Sequence, residues 1–272
     1  MSQLELEVAS RTDAGRVRSF NEDCVAVDAA AGIAVLADGM AERRGAEIAS
    51  KLATTQLVDR LRTGASVRDA FASANQAVCN HVKNDPTTRG MGTTLVVAWF
   101  RDDRVSIAHV GDSRLYRFRN GSLERLTIDH SLIQEALSSG NITDDEARLS
   151  QSRHLVTRVL GAEESVVPDL SEHEVKAGDI YLLCSDGLHD LVEDTDIALT
   201  LEVLQPDLNM AASTLVDMAN DRGGLDNVSV ALVKVKAKVK EQKRSLNGSG
   251  AKVAEAPRSG GLFGWLRKPK SN

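Results

Sequence analysis

Four of the most strand-like apolar runs in this chain carry an aspartate at one end. Asp38 follows IAVLA (33–37), Asp112 follows VSIAHVG (105–111), Asp186 follows IYLLCS (180–185) and Asp226 precedes NVSVALVKV (227–235). Consecutive Val, Ile and Leu belong to strands covered on both faces, so a carboxylate at the end of such a run lies against a low-dielectric interior. It needs a positive partner. One such aspartate is an ordinary turn residue, and Asp38-Gly39, Gly111-Asp112 and Asp186-Gly187 each suit a turn that ends a strand. Four of them ask for a shared cation. A hard divalent ion such as Mg2+ or Mn2+ takes oxygen ligands, keeps bound water and satisfies several converging carboxylates at once.

The segments LELEVA (4–9), CVAVD (24–28) and GIAVLA (32–37) predict a strand meander at the start. Ile48, Leu52, Leu57, Val58 and Leu61 recur at helical spacing within 45–62, as do Val67, Ala70, Phe71, Ala74, Ala77, Val78 and Val82 within 66–84. Two amphipathic helices follow, the second opened by Ser66 with Asp69 three positions on. Strands are expected at 93–100, 104–110 and 114–119, with short polar turns that suit antiparallel pairing. Residues 127–170 read as polar and irregular, with short helices at 131–139 and 143–149. A strand at 179–184, helices near 194–204 and 209–221 and a final strand at 227–235 close the pattern, an α+β sandwich.

With 272 residues the chain can bury a full core, and no linker interrupts it before about residue 236. Residues 236–272 carry ten Lys/Arg against two Glu, a charge of +8, and leave 1–235 with 23 basic and 37 acidic residues, a charge of −14. The expected organisation is one domain over 1–235 and a basic, disordered tail over 236–272. An acidic body excludes nucleic acid as a partner. The tail ends in GLFGWL followed by Arg267, Lys268 and Lys270, too short to span a bilayer but suited to docking on a partner or an anionic membrane surface. Cys24, Cys79 and Cys184 are odd in number and widely spaced in apolar contexts, as reduced core residues are. With no signal peptide in the sequence, the expected location is cytoplasmic, peripheral to a membrane only through the tail.

The segment from Thr12 to Asp23 places three acids, two of them Glu22 and Asp23, beside Arg16, Arg18 and Gly15. Together with Asp38-Gly39, Gly92-Thr93-Thr94, Gly111-Asp112-Ser113-Arg114, Ser185-Asp186-Gly187 and Gly224-Leu225-Asp226-Asn227, its order and spacing resemble the metal-dependent protein phosphatases, the type 2C serine/threonine phosphatases in their compact bacterial form. The resemblance covers roughly residues 5–235. It implies a four-layer α-β-β-α sandwich, two antiparallel sheets flanked by helix pairs, with a metal cleft at one edge. It implies two Mn2+ or Mg2+ ions held by Asp38, the Gly39 carbonyl, Asp186 and Asp226, and a third, weaker ion at Asp112, Asp186 and Asp190. Glu22 and Asp23 would hold water ligands, and Arg18 would grip the substrate phosphate. The implied reaction is hydrolysis of phosphoserine and phosphothreonine by a metal-activated water, with no phosphoenzyme, reversing a Ser/Thr kinase. A monomer is expected.

Such a reaction fits these residue types. A phosphate monoester repels hydroxide, so the site must supply both positive charge and a nucleophile. Arg18 adds a planar fork that can meet two phosphate oxygens, which a lysine cannot. The chain leaves the bacterial pattern after Met40, where Ala41-Glu42-Arg43-Arg44-Gly45 stands in place of a Gly-Gly-His stretch. Arg43 and Arg44 read as solvated charges. The altered loop is the one feature that speaks for an alternative, a pseudophosphatase or phosphoprotein-binding module. Metal-dependent nucleases and small-molecule phosphoesterases also use clustered carboxylates, and the acidic body disfavours the former. Of the histidines, His109 reads as a packed core residue and His130 as part of an Asp-His-Ser segment opening a flap. His81, His154, His173 and His189 read as surface or structural residues.

Overall fold

The unbroken apolar run at 33–37 serves two layers at once. Ile33, Val35 and Ala37 pack into one core with helical residues Leu57, Leu61, Phe71 and Val78, while Ala34 and Leu36 between them pack into another with Tyr181, Leu183, Ala231 and Val233. Side chains alternate across a strand, so a strand buried on both faces must be apolar at every position.

The computed structural model describes residues 5–41, 45–143, 146–147, 150, 152 and 155–236. The strands are β1 (Leu6–Asp13), β2 (Asp23–Asp28), β3 (Ile33–Met40), β4 (Gly92–Thr93), β5 (Leu95–Arg101), β6 (Arg104–Val110), β7 (Arg114–Arg119), β8 (Ser122–Arg125), β9 (Asp169–Glu174), β10 (Ile180–Cys184) and β11 (Val228–Val235). The helices are α1 (Ala46–Arg62), α2 (Val67–Asn84), α3 (Leu132–Ser138), the single turn α4 (Asp186–His189), α5 (Asp194–Leu204) and α6 (Leu208–Asp221).

One sheet has the order β1-β11-β10-β7-β8 and the other β2-β3-β5-β6-β9, with β4 beside β3. Every strand pair is antiparallel. Helices α1 and α2 cover the second sheet, and α5 and α6 cover the first through Ile197, Leu201, Leu208 and Leu215 against Ile180, Leu182, Val230 and Leu232. Between the sheets Phe100 meets Tyr181 edge-on with ring centroids 5.1 Å apart. The result is the expected four-layer α-β-β-α sandwich. Ser66 caps α2, its Oγ accepting from the Asp69 N–H at 3.1 Å.

Several elements differ from the sequence expectation. Strand β1 runs on to Asp13, pairing with β11 along its whole length as far as Asp13↔Val228. The run 93–100 is split at Thr94 between β4 and β5. Strands β8 and β9 were not anticipated, and both lie at sheet edges. An edge strand pairs through its backbone and tolerates polar side chains on both faces, so Asp169–Glu174 carries no periodic apolar signal. The expected turn at Asp186-Gly187 is the helical turn α4. Cys79 and Cys184 are buried, whereas Cys24 is only half-buried. The helix expected at 143–149 and His154 fall wholly or partly outside the described residues. So do Arg43, Arg44 and, beyond Lys236, the basic tail.

Candidate metal centre

The layer between the sheets is apolar over most of its length and turns polar at one end. On β3 the positions facing the opposite sheet are Ala34 and Leu36, and the next in that alternation is Asp38. The same alternation carries β5 from Ala98 and Val96 to Thr94, β10 from Tyr181 and Leu183 to Ser185, and β11 from Val233 and Ala231 to Ser229. These groups hold one another. Ser185 Oγ donates to Asp23 Oδ2 (2.9 Å) and accepts from the Ser229 N–H (3.0 Å), and the Ser229 and Thr12 hydroxyls are 2.7 Å apart. Thr94 Oγ1 accepts from the Asp38 N–H (3.0 Å) and lies 2.7 Å from Ser113 Oγ, while Thr93 Oγ1 donates to the Asp38 carbonyl oxygen (2.8 Å).

Within this frame Asp23 stands directly opposite Asp38 in the β2–β3 register. Asp186 opens α4 at the end of β10, Asp112 follows β6, Asp226 precedes β11 and Asp190 closes α4. Gly39 has no room for a side chain: a Cβ there would run into the carbonyl oxygens of Ala46 and Glu22. Gly187 is similarly pressed against Asn227.

The crowding shows in the acidities. Burial, reinforced by the charges of Asp23, Asp186, Asp112 and Asp226, pushes Asp38 well above the usual carboxylate range. Burial pushes Asp186 up to about 7, with the charge of Asp112 adding to it. Burial likewise raises Asp112 to about 7, with the charge of Asp129 next in size, and Asp23 to about 6 against the hydrogen bonds of Ser229 and Ser185. Glu22 is also raised, first by burial. Asp23 Oδ1 and Asp186 Oδ1 are buried without a hydrogen-bond partner. Buried carboxylate oxygens with neither a donor nor a cation are costly. An all-oxygen set of this kind fits a hard divalent ion.

Arg18 lies at the rim. Its Nη2 donates to Asp226 Oδ2 at 2.7 Å, and that bond is the main reason its pKa is raised. The pair is half-exposed, 51% and 37% by side chain, so it is weak and exchangeable. Asn227 ties the rim together. Its Oδ1 accepts from the Glu22 N–H (2.7 Å), and its Nδ2 donates to the carbonyl oxygens of Ala14 (3.0 Å) and Phe20 (2.8 Å).

On the far side of Asp112, Arg114 grips Asp129 through Nη2 at 2.7 Å and Nε at 3.1 Å. Burial alone would raise Asp129, yet the Arg114 guanidinium holds it below the usual range. Asp129→Asn should therefore lower unfolding stability by about 2 kcal/mol in urea, the worth of a hydrogen bond to a charged partner. A change near zero would mean that Arg125, also within 3.5 Å of Asp129, takes its place.

His109 is buried as expected, stacked on His130 at 4.7 Å, with Nε2 donating to the Ile128 carbonyl oxygen. His109, His130 and Asp169 have ligand atoms within 4.8 Å of one another. Arg158 occupies that cluster, 2.7 Å from Asp169 and 3.1 Å from His130 Nε2, so its positive charge is already supplied. His130 Nδ1 accepts from the Gly111 N–H, which anchors the loop before Asp112. His189 Nε2 donates to the Asp112 carbonyl oxygen, a structural role.

The structure thus brings Asp38, Gly39, Asp186, Asp226, Asp112, Asp190, Glu22, Asp23 and Arg18 to one end of the sandwich. The positioning roles of Thr93, Thr94, Ser113, Ser185, Ser229 and Asn227 were missed. Thr93, Thr94, Ser113, Ser185 and Asn227 all lie in the segments that carry the resemblance, while nothing local marks Ser229.

The family model for protein phosphatase 2C matches residues 13–219. The chain is 39% identical over 238 residues to the serine/threonine protein phosphatase PstP of Mycobacterium tuberculosis, covering 85% of this chain and 45% of that protein. The chain therefore spans about half the length of that relative. It is 36% identical over 242 residues to the protein phosphatase PhpP of Streptococcus pneumoniae, covering 84% of this chain and 97% of PhpP. A crystal structure of the catalytic domain of PstP in complex with two manganese ions superposes with a TM-score of 0.79 at 36% identity, covering 86% of this chain and all of that one. With its sandwich, its acidic cleft and these relatives, the chain belongs to the protein phosphatase 2C family.

Proposed function

We propose that this chain is a metal-dependent serine/threonine protein phosphatase. Asp38, the Gly39 carbonyl, Asp186 and Asp226 would hold two Mn2+ or Mg2+ ions, and Asp112, Asp186 and Asp190 a third. When bound, the ions supply an acidified water and the positive charge that offsets the substrate phosphate. The observation that carries this reading is the set of buried and half-buried carboxylates at the polar end of the inter-sheet layer, two of them with an orphaned oxygen. The manganese ions in the PstP catalytic domain support it.

The chain's own residues do the positioning. Thr93 and Thr94 fix the backbone of Asp38, and Ser185 fixes Asp23. Asp23 and Glu22 would hold water around the ions. Arg18 would exchange Asp226 for the phosphate, presenting two donors to two oxygens. The substrates would be phosphoserine and phosphothreonine proteins, in opposition to a Ser/Thr kinase, and the acidic body makes nucleic acid a poor partner. No helix among the described residues is long and apolar enough to cross a membrane.

Hydrolysis of p-nitrophenyl phosphate and of a phosphothreonine peptide, with Mn2+ and with EDTA, tests the reading. Turnover with Mn2+ that EDTA abolishes is expected; no turnover with Mn2+ would remove the phosphatase. Arg18→Ala should raise KM by about tenfold, the loss of one charged hydrogen-bond pair. Calorimetric Mn2+ affinity should not fall, because Asp226 is freed from a competitor. A large loss of metal affinity would contradict the role given to Arg18.

A further inference from the structure

Three large apolar side chains stand in solvent on the two loops that carry Arg18 and its partner Asp226. Val17 is 64% exposed, Phe20 76% and Leu225 55%. None belongs to any of the three cores. Val17 and Phe20 flank Arg18 in one loop, and Leu225 precedes Asp226, the partner of Arg18, in another. The two loops form one unit. The Arg16 and Val17 N–H groups donate to the Gly224 carbonyl oxygen at 2.8 and 3.2 Å, and Asn227 Nδ2 holds the Phe20 carbonyl oxygen at 2.8 Å. Gly15 lies so close to the Gly224 and Asp226 backbone that no side chain would fit between them. An aromatic ring three-quarters in water, on a loop held this firmly, is an apolar surface kept available for a partner.

Resting on the phosphatase reading, we propose that Val17, Phe20 and Leu225 form an apolar rim that takes an apolar side chain flanking the phosphorylated residue of a protein substrate. The position selects this occupant. Val17 and Phe20 share a loop with Arg18, proposed to hold the phosphate, and Leu225 precedes its partner Asp226 in the loop tied to it, so a phosphoresidue on Arg18 brings its sequence neighbours to these two loops. A lipid surface resting on the rim would instead lie across the mouth of the metal centre.

The test uses the full chain and two phosphothreonine peptides that differ only in the neighbouring residues, Leu and Phe in one, Ser and Glu in the other. Fluorescence anisotropy should show the apolar peptide bound about tenfold more tightly, the effect of burying roughly one apolar side chain. The double variant Phe20→Ser/Leu225→Ser should reduce that preference to less than about threefold while Phe20→Leu retains it, since apolar area and not the ring carries the contact. Hydrolysis of free phosphothreonine, which has no flanking residues, should be unchanged in all three proteins. Equal affinity of the wild type for both peptides, or an unaltered preference in the double variant, would overturn the rim. So would a double variant that loses binding to anionic phospholipid vesicles but keeps its peptide preference. A wild type that prefers the apolar peptide but hydrolyses neither would instead remove the phosphatase reading and leave the rim standing.

Discussion

Asp38→Ala is expected to reduce Mn2+-dependent kcat/KM on p-nitrophenyl phosphate by about a thousandfold or more, the several kcal/mol that correctly held ions contribute to the transition state. Asp38 stands at the centre of the repelling set, with Asp23, Asp186, Asp112 and Asp226 all acting on it. Its backbone is fixed on both sides by Thr93 and Thr94. The same substitution should raise the melting temperature in EDTA, because it removes one buried charge from a cluster of like charges. Activity and stability then move in opposite directions, which a misfolded variant cannot produce. Asp112→Ala should be milder, about 10- to 100-fold, as for partners outside the inner ligands. Equal activity of Asp38→Ala and wild type would remove the metal centre; equal losses at Asp38 and Asp112 would remove their ranking.

The sequence made the covered strands legible because a strand with two buried faces must be apolar at every position. IAVLA, IYLLC and VSVALV announce β3, β10 and β11 in that way. Strands β8 and β9 stayed hidden because their pairing is written in backbone, not in side chains. The same contrast divides the site. Carboxylates beside apolar runs stand out, so Asp38, Asp112, Asp186 and Asp226 could be found by electrostatics alone. Their supporting hydroxyls could not. Ser185 and Ser229 are common residues whose meaning comes from each other and from Asp23, far away in sequence. Arg18 was legible through a family resemblance, but its present partner Asp226 is 208 positions away and no local pattern joins them. Asp186-Gly187 looked like a turn because that dipeptide favours one; the packing of Gly187 against Asn227 makes it a helical turn instead.

The gap in melting temperature between Mn2+-loaded and EDTA-treated protein is expected to widen as pH rises from about 4 to about 7, reaching roughly 10–20 °C for two ions at a hundred times their dissociation constants. Asp23, Asp112 and Asp186 move from an ordinary 3.8 to about 6, about 7 and about 7, and Asp38 rises further, all chiefly through burial. An acid whose folded pKa is raised gives stability that is full below its unfolded pKa and lost as pH climbs through the folded one. Without metal the centre therefore becomes a growing liability across that range. With metal the deprotonated form is the one bound, so the same rise in pH strengthens binding. The histidines act in the opposite sense. Burial lowers His130 to about 4 and also lowers His109, so their neutral forms add stability as pH rises towards 6.5. They do so with and without metal, which is why the gap isolates the carboxylates while either melting curve alone does not. Asp129, held low by Arg114, loses its contribution only as pH falls below 3.8, outside the window. Calorimetry at half-unit pH steps reads the difference directly; a gap that is flat or narrows with pH would mean that the buried aspartates do not bind the ion.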